Sequence, residues 1–116
     1  MSILKNKSYE FALEIVKLSQ YLVADKKEYI LSKQLLRSGT AIGALIREAE
    51  FGQSKKDFIH KMSIALKEAN ETLYWLDLLK DTKYIVEDTY SLLHSIYKEL
   101  VAMLVSSIKT AKKSLL

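Results

Sequence analysis

Gln34-Leu35-Leu36-Arg37-Ser38-Gly39-Thr40-Ala41-Ile42-Gly43-Ala44-Leu45-Ile46-Arg47-Glu48-Ala49 (QLLRSGTAIGALIREA) is an amphipathic stretch with a middle of small residues. Glycine inside a helix costs about 1 kcal/mol relative to alanine. Gly39 and Gly43, four apart with no proline nearby, make little sense in a freely solvated helix. They fit a helix that another backbone approaches closely, the contact that small-xxx-small spacing permits. A loop around Gly39 is the alternative. Leu31, Leu35, Ser38, Ile42, Leu45 and Ala49 form one stripe along this helix. Leu36, Gly39, Gly43 and Ile46 form a second beside it, so the helix buries more than one side.

Outward from this segment the chain reads as helices throughout. The central helix takes Tyr29 or Ile30 through Ala49. Before it, Phe11, Ile15, Leu18 and Leu22 recur at helical spacing and predict a helix over residues 8–23, with Ser8 as N-cap. Asp25-Lys26-Lys27-Glu28 is the connection. After it, Phe51-Gly52-Gln53 is a short link in which Gly52 can take the left-handed conformation that ends helices. Ser54 and Asp57 resemble a capping box opening the third helix. There Phe58, Met62, Ala65, Ala69, Thr72, Leu76 and Leu79 keep phase for about six turns. Residues 81–87 connect to a fourth helix over 88–113, with Lys109, Lys112 and Lys113 in its last turns, where cations suit the helix dipole.

The chain has 116 residues, room for one domain spanning 1–116, and no second domain or repeat is visible. It contains no proline and three glycines, so long helices with short connections are expected. The fold class is all-α: an antiparallel up-down-up-down four-helix bundle. One core needs one stripe per helix, and helices two, three and four each carry more. That surplus predicts a subunit interface and a symmetric homo-oligomer. Without cysteine there is no disulfide, thiolate metal site or cysteine nucleophile. The N-terminal residues lack a signal-peptide pattern, and no apolar run approaches the roughly 18 residues of a membrane span, so a cytoplasmic protein with no membrane partner is expected.

Enzymatic chemistry has little foothold. A di-iron bundle wants Glu-x-x-His on two helices. The residues three before His60 and His94 are Asp57 and Ser91, so no metal is expected. No P-loop, dinucleotide glycine pattern or nucleophile elbow occurs, and no cofactor or catalytic residue is assigned. Arg37, Glu48, Glu68 and Glu71 are read as pairing with charges on neighbouring helices or subunits rather than as acid/base groups.

Charge placement says more. The formal net charge is +4. In an up-down bundle one pole collects Lys5, Lys7, Arg47, Lys55, Lys56, Lys109, Lys112 and Lys113 against Glu10, Glu48, Glu50 and Asp57. Lys55 and Lys56 stand in the first turn of a helix, against the dipole. Residues placed against a local preference are candidates for function. No aromatic-basic interleaving is visible, so any nucleic-acid binding should be sequence-tolerant.

Residues 34–44, continued by Arg47-Glu48-Ala49, together with Ser54-Lys55-Lys56-Asp57-Phe58, Ala65, Glu68, Glu71-Thr72 and Tyr74-Trp75-Leu76, resemble the 23S ribosomal RNA intervening-sequence proteins. These are bacterial four-helix bundles. The family is in turn similar to the accessory variability determinant of diversity-generating retroelements, a basic pentamer that binds nucleic acid and a reverse transcriptase. The resemblance implies a ring-like homopentamer. The expectation is therefore a non-enzymatic oligomer whose basic end binds RNA or DNA backbone through Arg47, Lys55, Lys56, Lys109, Lys112 and Lys113. The alternative is a protein-interaction scaffold, docking a partner protein, with no nucleic-acid role.

Overall fold

The computed structural model describes residues 2–116 as four helices: α1 (Ser2–Ala24), α2 (Leu31–Glu50), α3 (Lys55–Asp81) and α4 (Glu87–Lys113). Helix α1 packs on α2 and α4, and α3 packs on the same two; among the described residues the backbones of the diagonal pairs stay apart. The result is a rod of 50 × 21 × 20 Å. No described helix is long and apolar enough to cross a membrane.

The small-residue segment is helical throughout, and α1 is what approaches it. A Cβ added to Gly39 would lie 2.8 Å from both Cγ1 and Cγ2 of Ile15. At Gly43 the neighbour is Ser8, whose Oγ would lie 3.4 Å from such a Cβ. Ser8 is therefore not the N-cap that the sequence predicts. It is buried inside α1, and its hydroxyl donates to the Lys5 carbonyl at 2.9 Å. The helix begins six residues earlier because buried Leu4 carries the stripe back another turn. On the other side of α2, the Ser38 hydroxyl accepts from the Thr72 hydroxyl of α3 at 2.9 Å inside the core.

The first connection hides a cap. No side chain at Ile30, the residue before α2, caps the helix. The carboxylate of buried Glu28 does so instead, accepting from the backbone N–H of Ile30 (3.3 Å), Leu31 (3.1 Å) and Ser32 (2.7 Å). Ser32 returns the contact, its hydroxyl donating to the Glu28 carbonyl at 2.8 Å. These are first-turn N–H groups that the helix itself cannot satisfy. Glu28→Ala should lower the free energy of unfolding by about 2 kcal/mol, the scale of a lost cap with a charged acceptor, read from the urea midpoint.

Two turns require left-handed backbone, and both do it with lysine: Lys27 at φ 55° and Lys83 at φ 67°. Lys83 sits in a Schellman motif, where Tyr84 N–H donates to Leu79 O at 2.9 Å and Lys83 N–H to Lys80 O at 3.0 Å. Gly52, expected in that conformation, has no positive φ. It is confined by proximity: a Cβ there would lie 2.8 Å from Asp57 Oδ2 and 3.1 Å from Ala49 O.

The broad apolar faces of α2, α3 and α4 are largely used within the subunit. Leu45, Phe58, Ile59, Leu66, Trp75, Tyr97 and Val101 pack half-buried against the core. Tyr90 donates to Asp77 at 2.5 Å and Tyr97 to Asn70 at 2.9 Å, across the α3–α4 seam. The exposed apolar surplus lies instead mainly on α1, at Ile3, Tyr9, Leu13, Tyr21 and Val23, with single exposed residues Leu36, Tyr74 and Leu92 on the other helices.

Candidate nucleic-acid interface

The start of α1, the end of α2, the start of α3 and the end of α4 meet at one end of the rod. Lys5 of α1 pairs with Glu50 of α2 at 3.1 Å. Lys55 Nζ donates to the hydroxyl of Ser114, just past α4, at 2.8 Å. Ser54 sets this corner: its backbone is extended and its hydroxyl accepts from Asp57 N–H at 3.0 Å, so the N-cap half of the expected capping box is formed. Capping there places Lys55 and Lys56 in the first turn of α3, with Asp57 offsetting the dipole.

Ion pairing sorts the charges of this end. Glu50 is held by Lys5, Glu10 by Lys7 and Glu48 by Lys61. Lys7 also reaches Glu99 at 2.7 Å; that hydrogen bond and the Glu10 contact raise its pKa above the ordinary lysine value. Lys61 is raised likewise, chiefly by its hydrogen bond to Glu48. By contrast Arg47, Lys55, Lys56, Lys109, Lys112 and Lys113 are all exposed, and among the described residues none forms an ion pair. The six fall into neighbouring groups. Lys109 and Lys113 line one shallow depression on α4. Lys55 lies between the α2–α3 turn and the end of α4. Arg47 lines an open depression with Phe51, Gln53, Ser54 and Lys61, and the carboxylates of Glu48, paired with Lys61, and Asp57 line it too. The guanidinium of Arg47 also stands 5.7 Å from the centroid of the Tyr9 ring. The depressions that these residues line are open and shallow.

Over residues 2–106 the chain matches the model of the 23S rRNA-intervening sequence protein family. It belongs to that family. It is similar to a protein of unknown function from the S23 ribosomal protein family of Bacteroides thetaiotaomicron VPI-5482, known from a crystal structure. The two share 55% identity and superpose with a TM-score of 0.90, over 91% of this chain and 98% of that one. No curated protein matches the chain. The fold expected from the family resemblance is the fold observed.

The other charged residues marked in this family member brace α2 against α3. Arg37 Nη1 lies 3.3 Å from Glu68, and its Nη2 donates to Glu71. Trp75 Nε1 donates to the same Glu71 carboxylate at 3.1 Å. The Trp75 indole, with Arg37, holds the Glu71 pKa below the ordinary carboxylate range, against some desolvation. A depressed carboxylate pKa contributes stability that is complete above its unfolded value of 4.5 and lost as pH falls through the lower folded value. Glu71→Gln should therefore flatten the acid limb of stability below about pH 4.5, measured by urea unfolding at stepped pH. Among the described residues no three histidine, aspartate or glutamate side chains gather as a metal site.

Two aromatic residues of the basic end were not singled out in the sequence. Tyr9 and Phe51 look like core or linker positions when read alone. The signal was there in the phase. Phe51 follows Arg47 by four, on the side of α2 away from its buried stripe, and such pairs are neighbours on a helix surface.

Proposed function

We propose that this chain is a non-enzymatic, homo-oligomeric binding module whose basic end holds the phosphate backbone of RNA or DNA. The observation that carries this reading is the sorting of charge. The acids Glu10, Glu48 and Glu50 are taken by Lys7, Lys61 and Lys5, leaving Asp57 at the start of α3, while among the described residues six cations on the same end form no ion pair. Exposed cations without partners lose little on meeting phosphate, and each contact releases condensed counterions. The resemblance of these proteins to the retroelement determinant, a basic pentamer that binds nucleic acid, supports the same reading.

Self-association is supported by the exposed apolar side chains of α1, Tyr9 and Leu13 one turn apart among them; the ring of five copies rests on the resemblance to the retroelement determinant. A ring repeats the basic end, and weak contacts then add through effective concentration. The test is direct. Light scattering should give an oligomeric mass at micromolar concentration, and a mixed-sequence oligonucleotide should bind at 50 mM salt with log affinity falling linearly with log salt. An intact oligomer with no binding at low salt overturns the nucleic-acid reading. Capture of a partner protein after nuclease treatment would then favour the scaffold.

A further inference from the structure

Phe51 is 83% exposed, at the C-cap of α2 where the chain turns into α3. Its ring stands on the open depression that Arg47, Lys61 and Gln53 also line, together with Glu48, which Lys61 neutralises, and Asp57, in the first turn of α3. Arg47, one turn before it, has the half-exposed Tyr9 ring 5.7 Å away. The two first-turn lysines of α3 follow within five residues. A bare phenyl ring beside unpaired cations, at the charged end of a rod, has one chemical offering that the lysines lack: a flat apolar face.

We infer that this corner binds an unpaired nucleotide, with the Phe51 ring stacked on the base and Arg47, Lys55 and Lys56 holding the flanking phosphates. The inference rests on the reading of the basic end as a nucleic-acid interface and narrows it to single strands and loops. In a duplex each base face is covered by its neighbours, so the ring has nothing to stack on. In a single strand the faces are free, and aromatic stacking beside a basic groove is the general mode of recognition. Every base has such a face, so the contact tolerates sequence.

The test compares four 12-mers of equal length at low salt: a mixed-sequence RNA strand, the matching DNA strand, an abasic DNA strand, and a blunt DNA duplex. The wild-type chain should bind the base-bearing strands about 10-fold tighter than the abasic strand and tighter than the duplex. The RNA and DNA arms show which sugar is preferred. Phe51→Ala should weaken the base-bearing strands by about 5- to 100-fold, leave the abasic strand unchanged and keep the salt slope. Phe51→Trp should retain affinity, with emission quenched on binding. Equal binding of abasic and base-bearing strands overturns the stacking inference and leaves the backbone reading standing; no binding of any strand overturns both. An oligomer that dissociates on Phe51→Ala, by light scattering, also overturns it, because the ring is then a subunit contact.

Discussion

Replacing Gly39 by leucine should cost about 3 kcal/mol of folding free energy, a large share of the stability of a bundle of this size. Even a single added carbon at Gly39 would lie 2.8 Å from two side-chain carbons of Ile15. Ile15 is fully buried and β-branched, so it has no free rotamer to retreat into. The longer side chain can be admitted only if α1 and α2 part, and the seam between them holds Phe11, Ile15, Leu35 and Ile42 in the core. Gly43→Ala is the contrasting variant. Its neighbour is the edge of Ser8 at ordinary contact distance, and the gain in helix propensity is about 1 kcal/mol, so stability should hold or rise. Urea unfolding of the two variants measures both. Gly39→Ala combined with Ile15→Ala, which removes both crowding Cγ carbons, should cost less than the sum of the two single variants, since residues in contact couple.

Substituting Lys55, Lys56, Lys112 and Lys113 together by glutamine should lower affinity for a mixed single strand by about 1,000-fold at 50 mM salt and barely change it near 1 M. The size follows from counterion release. Each lost phosphate contact on a single strand removes about 0.7 from the salt slope, so the four together remove about 3. The fold should survive, because all four are exposed and the contact given up is the Lys55–Ser114 hydrogen bond. Lys5→Gln and Lys61→Gln are the controls. Their charges are already matched by Glu50 and Glu48, so removing either should change affinity only slightly. Equal losses in the controls and the quadruple variant, measured by fluorescence anisotropy across a salt series, would mean that position at this end is irrelevant and net charge alone acts.

The bundle was legible because period and punctuation agree. Apolar residues recur at helical spacing in four runs, and no proline interrupts them. Gly39 and Gly43 announced a close approach, but not from which partner; only the packed structure shows Ile15 and Ser8 on the other side. Ser8 was misread because a serine before an apolar run looks like a cap, and nothing local distinguishes it from a small residue buried at a helix crossing. Glu28 was read as part of a polar connection because capping from two residues outside the helix leaves no common sequence signature. The lysines were found by topology alone, since short connections bring alternate helix ends together. Which of them are free could not be read: Lys5 and Lys55 are equivalent in composition, and only the positions of Glu50 and Ser114 separate them.

The two left-handed lysines, Lys27 and Lys83, both lie in turns at the end of the rod opposite the cation cluster. A side chain carrying a β-carbon is disfavoured there, and glycine is not. Heat resistance and ligand affinity can therefore be tuned at separate ends of the same molecule. Glycine at 27 and 83 would stabilise the two distal turns by up to roughly 1 kcal/mol each, less the Lys27–Ala24 hydrogen bond at the first, and leave the opposite end as it is.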